Sequence, residues 1–219
     1  MQNQDHSHPC PLCIHTQTVA YFADQNRDYL RCPSCGLVFV PQQQWLSTEA
    51  EKAEYDLHEN NPDDPGYRKF LSRLADPLMK RLDARQKGLD FGCGASSALP
   101  LLLAEQEHQV ELFDLYYHND PALLEQCYDF ICASEVIEHL RDPHREFLRL
   151  FSMLKPGGWL GIMTKLVLDR QAFAYWHYIR DLTHICFYSR ETLFWLATEY
   201  GAKLDFAADD VILLQKREG

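Results

Sequence analysis

The segment 88–104, GLDFGCGASSALPLLLA, constrains the fold of this chain more than any other stretch. Its apolar start indicates a buried strand, Gly92 and Gly94 indicate a tight turn, and the apolar run that follows indicates a helix beginning near Ser96 or Ser97. Glycines let the backbone approach a ligand closely, and a helix N-terminus presents free amide donors. The segment therefore predicts an α/β fold whose glycine loop binds a nucleotide-like molecule.

The strand after this helix, HQVELFD, ends at Asp114. A carboxylate about twenty residues beyond the glycine turn is where doubly wound sheets hold a ribose diol. Further strands are predicted in YDFICA, KPGGWLGIMT and AKLDFAADDVILLQKR, with an amphipathic helix in DPHREFLRLFSML. A helical pattern over 67–82 precedes the glycine loop, and we expect Pro77 to kink or divide it.

Four motifs together, LDFGCG, FD at Asp114, SEVIEHLRDP and LKPGG, resemble the class I S-adenosylmethionine-dependent methyltransferases. The resemblance covers about residues 68–217. It implies a Rossmann-like methyltransferase fold, with a mostly parallel sheet and a reversed C-terminal edge strand, and S-adenosylmethionine as cofactor. The residues that it places at the cofactor or in the adjoining cleft are Asp90, Gly92, Cys93, Gly94, Asp114, Ser134 and Glu135.

Two residues of this loop need comment. Cys93 is expected to be a small buried side chain and not a nucleophile, because no neighbouring base is evident. Ala95 stands where the family's loop usually continues with another glycine.

The motif SEVIEHL at 134–140 places Glu135, Glu138 and His139 at spacings that share one face of a helix. A later histidine, His184, precedes the predicted helix that starts at Ser189. This combination resembles two metal-using branches of the family, the ubiquinone-pathway O-methyltransferases and the small-RNA 3′-end 2′-O-methyltransferases.

By that resemblance Glu135, Glu138, His139 and His184 form a divalent metal site. Two carboxylates and two imidazoles suit manganese, iron or zinc better than magnesium. The alternative is that these residues cap the helix and hydrogen-bond the core, because EHL followed by DP is also common in methyltransferases that use no metal.

Three histidines are therefore candidates for catalysis. His139 and His184 would act through a metal that lowers the pKa of an acceptor hydroxyl. His177 is a candidate general base for an acceptor that needs no metal. The alternative for His177 is a partly buried side chain paired with Asp181.

The N-terminal cysteines have the spacing C-x2-C-x18-C-x2-C, which predicts a structural zinc ribbon with a hairpin between the pairs. Four thiolates leave no open coordination position for chemistry. The alternative is two redox pairs or reduced core thiols, and His6 and His8 are expected to be solvated. The proposed zinc ligands are Cys10, Cys13, Cys32 and Cys35.

The predicted organisation is a zinc ribbon at 1–40, a polar linker at 41–66 and a methyltransferase domain at 67–219. With 21 basic and 32 acidic residues the net charge is −11, which disfavours nucleic acid as a partner. No apolar run approaches the roughly 20 residues of a membrane helix, and the N-terminus lacks the pattern of a signal peptide. We expect a cytoplasmic protein that does not engage a membrane.

The leading hypothesis is an S-adenosylmethionine-dependent methyltransferase that methylates an oxygen of a small-molecule acceptor, with assistance from a metal. One alternative is methylation of an RNA or a sugar nucleotide. Another is a non-catalytic scaffold that keeps the fold for binding, with the ribbon as docking module.

Overall fold

The computed structural model describes residues 8–57 and 60–218, so His6 lies outside the described part of the chain. The strands are β1 (Val19–Ala23), β2 (Asp28–Arg31), β3 (Val38–Phe39), β4 (Lys87–Phe91), β5 (Gln109–Phe113), β6 (Tyr128–Ser134), β7 (Leu154–Met163), β8 (Cys186–Phe187), β9 (Ala202–Ala208) and β10 (Val211–Lys216). The α-helices are α1 (Thr48–Tyr55), α2 (Pro65–Met79), α3 (Leu99–Ala104), α4 (Pro143–Met153), α5 (Arg170–Ala174) and α6 (Arg190–Glu199). Short 3₁₀ turns occupy Gln42–Gln44, Pro121–Glu125, Ile137–His139 and His177–Arg180.

The central sheet has six strands in the order β5-β4-β6-β7-β10-β9. Strands β5, β4, β6 and β7 are parallel, whereas β10 runs antiparallel to both of its neighbours. The predicted α/β fold with a reversed C-terminal strand is confirmed, and this strand lies between β7 and β9, so the edge itself is formed by β9. Because parallel strands end at the same edge, the loops after β4, β5 and β6 meet there, which is where open α/β sheets bind ligands.

Helices cover both faces of this sheet, and each face has its own apolar core. On one face, Leu74 and Leu78 of α2 and Leu103 of α3 pack with Phe130 and Met163. The core of the other face is larger, since it joins α4 and α6 to the N-terminal ribbon. Successive side chains along the buried strands point to opposite faces of the sheet, so each strand contributes to both cores.

Two helices differ from the sequence prediction. Helix α2 continues through Pro77 to Met79 and is not divided there, because the proline lies in the last turn, where losing one amide hydrogen bond disturbs little of the helix. Helix α3 begins at Leu99, later than expected, and spans only six residues. The Ser97 hydroxyl accepts the Leu99 amide (3.1 Å), so a side-chain turn replaces the first helical turn.

The ribbon sheet extends into the C-terminal half of the chain. Its strand order is β1-β2-β3-β8, and β3 pairs antiparallel with β8, which aligns Val38 with Phe187 and Phe39 with Cys186. The segment 41–66, predicted as a linker, contains helix α1 in place of a purely irregular connection. Ser47 caps this helix by accepting the Ala50 amide.

Among the described residues, no helix is both long enough and apolar enough to span a membrane.

Candidate functional site

A cavity of about 970 Å³ opens at the carboxyl edge of the parallel strands. Its walls come from the loops after β4, β5 and β6, from helix α1 and from the segment between α5 and β8. Cavities of 300–1,000 Å³ are typical of sites that enclose a small ligand. The volume suits a nucleoside-sized molecule together with a smaller partner.

The glycine loop after β4 forms the floor of this cavity. Gly92 and Gly94 have φ angles of +75° and +65°, which glycine adopts without the strain that other residues incur. The Gly92 amide donates to the Phe113 carbonyl (2.8 Å), and the Gly94 amide donates to Asp114 Oδ2 (3.0 Å). A Cβ on Gly92 would lie 2.6 Å from the Val136 side chain. The loop is therefore held close against the neighbouring strand ends.

Two polar atoms in the cavity wall are buried without a hydrogen-bond partner among the described residues: Asp90 Oδ2 and Ser134 Oγ. Buried polar groups normally have hydrogen-bond partners, so these two atoms indicate that a ligand supplies the missing partners. Asp90 is 2% exposed, and burial raises its pKa to about 7. A positively charged ligand group would favour the ionised carboxylate.

Asp114 lies in the wall as predicted, but its carboxylate also organises the backbone. Beyond its bond to Gly94, Oδ1 accepts the amides of Tyr116 (2.8 Å) and Tyr117 (3.1 Å). Oδ1 thus uses both of its lone pairs, whereas Oδ2 accepts only the Gly94 amide and keeps one lone pair for a ligand. Cys93 also lines the cavity; it is buried, and burial raises the pKa of its thiol, as expected of an unreactive cysteine.

The structure brings Glu138, His139 and His184 together. One ligand atom of each lies within 4.8 Å of the others, although His184 is 45 positions away from His139 in the sequence. Glu138 is fully buried, and its carboxylate accepts hydrogen bonds from Thr164 Oγ1 (3.0 Å) and from the Tyr178 hydroxyl. Burial raises the pKa of Glu138, so this carboxyl group favours a nearby cation.

Hydrogen bonds fix the orientation of both imidazoles. His139 Nδ1 donates to the Thr183 carbonyl (3.2 Å), and His184 Nδ1 donates to the Tyr178 carbonyl (2.8 Å). A carbonyl can only accept, so each proton is on Nδ1 and each Nε2 carries the lone pair that a metal requires. Metal-ligating histidines are usually oriented in this way.

Glu135 lies apart from this cluster, although the helical spacing predicted a common face. The chain is not α-helical here: Glu135 has a φ of +53°, and a single 3₁₀ turn follows. Glu135 lines the cavity, and burial together with the charge of Glu138 raises its pKa to about 8. Left-handed backbone at a non-glycine residue is costly and is found preferentially at functional sites.

His177 also lines the cavity, but it pairs with a cation. Its Nε2 lies 2.8 Å from Lys165 Nζ, so the imidazole accepts from the ammonium group. The expected partner Asp181 instead lies beside His184, with Oδ2 3.6 Å from His184 Nε2. The His177 Nε2 lone pair is thus already used in the hydrogen bond with Lys165.

Sequence reasoning missed the residues that helix α1 brings to the cavity. Glu51 is 6% exposed and accepts from Arg141 Nη2 (2.8 Å), the Tyr116 hydroxyl (3.2 Å) and the Tyr55 hydroxyl (3.1 Å). The Tyr55 ring packs edge-on against His139, with centroids 5.4 Å apart. The alternation of acidic and small residues in this helix resembles a solvated surface, so the sequence held no signal for this role.

The four N-terminal cysteines converge, with their sulfur atoms within 4.8 Å of one another. The Sγ separations are 3.5 Å for Cys10 and Cys35 and 3.4 Å for Cys13 and Cys32, so all four are free thiols. The hydrogen bond from Cys35 lowers the pKa of Cys10 to about 6. Four sulfur donors so arranged fit a tetrahedral zinc ion.

A family model described as a methyltransferase domain matches residues 63–205, which is more than half of the chain. The chain belongs to the S-adenosylmethionine-dependent methyltransferases. This family membership agrees with the first of the sequence hypotheses, a methyltransferase. A search of curated protein sequences finds no match.

Solved structures of methyltransferases share the fold of this methyltransferase at low sequence identity. An O-methyltransferase family protein from Burkholderia thailandensis has a TM-score of 0.54 and 14% identity over 77% of this chain, which spans only 63% of that protein's length. The 1,6-didemethyltoxoflavin-N1-methyltransferase from Burkholderia thailandensis, solved with its substrate and S-adenosylhomocysteine, has a TM-score of 0.50 and 14% identity. That alignment covers 91% of this chain and 99% of the other.

Proposed function

We propose that this methyltransferase transfers a methyl group to an oxygen of a small-molecule acceptor, with a divalent metal held by Glu138, His139 and His184. The observation that carries the proposal is the convergence of these three donors, two of which, His139 and His184, line the cavity that contains the glycine loop. A shared cavity lets one compartment hold both the methyl donor and the group that receives it.

Residues on the side of the cavity that the glycine loop forms would hold the cofactor. Asp90 and Ser134 offer buried polar atoms that find no partner in the described part of the chain, which fits the amino-acid part of S-adenosylmethionine. Gly92 and Gly94 allow close backbone approach, and Asp114 lies at the end of β5, where a ribose diol is held. When bound, the cofactor supplies a methyl group activated by a sulfonium.

Residues of the opposite wall would hold the metal and the acceptor. The two Nε2 atoms and the Glu138 carboxylate form a mixed nitrogen and oxygen set, which suits manganese, iron or zinc. Such an ion lowers the pKa of a hydroxyl that binds to it. Glu135 and Asp181 also line the cavity, and we propose that they orient the acceptor or complete the coordination.

The acceptor compartment favours a small molecule over a polymer. Tyr55 and Tyr178 supply aromatic surface there, and residues of helix α1 form part of the cavity wall. The net charge of −11 opposes the approach of a phosphate backbone. Within this proposal, RNA and sugar nucleotides are the less favoured acceptors.

Activity of two histidine variants tests the proposal. Methyl transfer from labelled S-adenosylmethionine to a panel of catechols and phenols would be compared for His184→Ala and His177→Ala, with added Mn²⁺. We expect His184→Ala to lose at least 100-fold in turnover, whereas His177→Ala keeps most of it. The reverse ranking would show that His177 is the base and that the metal proposal is wrong.

A further inference from the structure

Arg27, at the turn of the β1–β2 hairpin, reaches into the segment that carries His184. Its side chain is only 4% exposed. Nη1 donates to the carbonyls of Leu182 (3.1 Å) and His184 (2.9 Å), and Nη2 donates to those of Ile179 (2.6 Å) and Asp181 (3.1 Å). Both terminal nitrogens of the guanidinium group are thus used on one stretch of backbone.

This arrangement does more than attach the ribbon to the rest of the chain. Burying a charge is costly, and an apolar side chain would hold the hairpin in place at lower cost. A guanidinium group adds direction, because its donors lie in a rigid plane. Four carbonyls that bind one such plane are fixed relative to one another. The ribbon is therefore tied to four backbone carbonyls of the segment 179–184 through one side chain.

This segment, extended by one residue to 178–184, contains the carbonyls that orient both imidazoles of the candidate metal centre. The Thr183 carbonyl accepts from His139 Nδ1, and the Tyr178 carbonyl accepts from His184 Nδ1. The hydrogen bond from the Val40 amide to the Ile185 carbonyl (2.9 Å) continues the contact between ribbon and segment. Arg27 therefore binds the carbonyls of residues that adjoin Thr183 and Tyr178 in the chain.

We propose that Arg27 is a positioning residue that couples the zinc ribbon to the acceptor side of the cavity. Through the segment 178–184 it holds His139 and His184 in the orientation that a metal requires. The consequence for catalysis rests on the function proposed above, whereas the effect on the segment does not.

The test compares Arg27→Lys and Arg27→Ala with Arg31→Ala in the full zinc-loaded chain. Arg31 lies on the same hairpin and also contacts the C-terminal half, through a surface ion pair with Glu191 (2.5 Å). Three quantities are measured: the affinity for Co²⁺ with its visible absorption bands, the affinity for S-adenosylhomocysteine, and amide hydrogen exchange in 178–187.

A lysine cannot bind four carbonyls, so Arg27→Lys should weaken Co²⁺ binding at least tenfold and speed exchange in 178–187 by a similar factor. S-adenosylhomocysteine affinity should stay within twofold, and Arg31→Ala should change none of the three. Unchanged exchange in Arg27→Lys, or an equal loss of S-adenosylhomocysteine affinity, would overturn the proposal. If Arg27→Ala does not fold, Arg27→Lys decides.

The two proposals fail separately. If the wild-type chain binds no Co²⁺ beyond the ribbon, the metal part of the proposed function is wrong, and hydrogen exchange alone decides the role of Arg27. Faster exchange in Arg27→Lys with no change in Arg31→Ala would still support it.

Discussion

Most of what the sequence predicts about the cofactor-binding part of the cavity concerns individual residues of the glycine loop. Asp90, Gly92 and Gly94 line the cavity because a strand followed by a glycine turn fixes their positions locally. Glu138 meets His184 only because a loop distant in the sequence brings His184 to it. Glu135 lies outside this cluster because its backbone adopts a left-handed angle. Helical periodicity predicts neither feature.

Asp90 should make S-adenosylmethionine binding depend on pH. Burial raises the pKa of Asp90 to about 7, so without a ligand its carboxyl group is largely protonated at pH 6. The ammonium group of the cofactor favours the ionised carboxylate. We expect affinity for S-adenosylmethionine to rise about tenfold from pH 6 to pH 8, since a change of one pKa unit is about 1.4 kcal/mol. Calorimetry at several pH values measures this. Asp90→Asn should bind weakly with a flat profile, and an equally steep profile in that variant would contradict the assignment.

Gly92 should tolerate no side chain. Gly92→Ala must accept both a φ of +75° and a contact with Val136, whereas Gly201→Ala has a φ of +61° and nothing within 4 Å of the new Cβ. Both should lose about 1 kcal/mol of stability from the backbone angle. Only Gly92→Ala should also lose S-adenosylhomocysteine affinity, by at least tenfold. Urea unfolding and calorimetry separate the two effects, and equal S-adenosylhomocysteine affinity in both variants would rule out close packing at the loop.

At the scale of elements, the strands of the central sheet are predictable and helix α1 is not. Strand signals come from local apolar runs that are buried on both faces. Helix α1 buries the Glu51 carboxylate in place of an apolar face, and two of the groups that satisfy it, on Arg141 and Tyr116, come from elsewhere in the chain. A polar stretch of this kind is therefore assigned to a linker from sequence alone.

Glu51 should hold helix α1 over the cavity. Glu51→Gln leaves Arg141 without its buried counter-charge, so we expect a loss of about 1–3 kcal/mol and faster hydrogen exchange in residues 46–57. Glu49→Gln, an exposed change on the same helix, is the matched control. Exchange rates that match between the two variants would show that the helix is held by other contacts.

At the scale of the whole molecule, the ribbon and the methyltransferase sheet are joined by backbone pairing between β3 and β8. The cysteine spacing predicts the ribbon, because two cysteine pairs suffice to identify it. Its pairing with a two-residue strand about 150 positions later leaves no periodic pattern in the sequence. Only the folded chain shows that the ribbon borders the candidate metal site.

Cys13→Ser should separate the ribbon from the cofactor site. Loss of one zinc ligand should release the ion and speed exchange in both β1–β3 and the segment 178–187, which the ribbon supports. The S-adenosylhomocysteine affinity should stay within threefold, since the glycine loop belongs to the central sheet. Cys127→Ser, at an exposed cysteine outside the ribbon, is the control. Complete loss of S-adenosylhomocysteine binding in a folded Cys13→Ser variant would refute this separation.

The most direct test of the account titrates S-adenosylhomocysteine into the purified chain by calorimetry, with metal content determined on the same Mn²⁺-supplemented and dialysed sample. The account predicts one S-adenosylhomocysteine per chain, one tightly held zinc and a second divalent ion that His184→Ala lacks. Absence of S-adenosylhomocysteine binding, or a single zinc with no second ion, would contradict a metal-assisted methyltransferase.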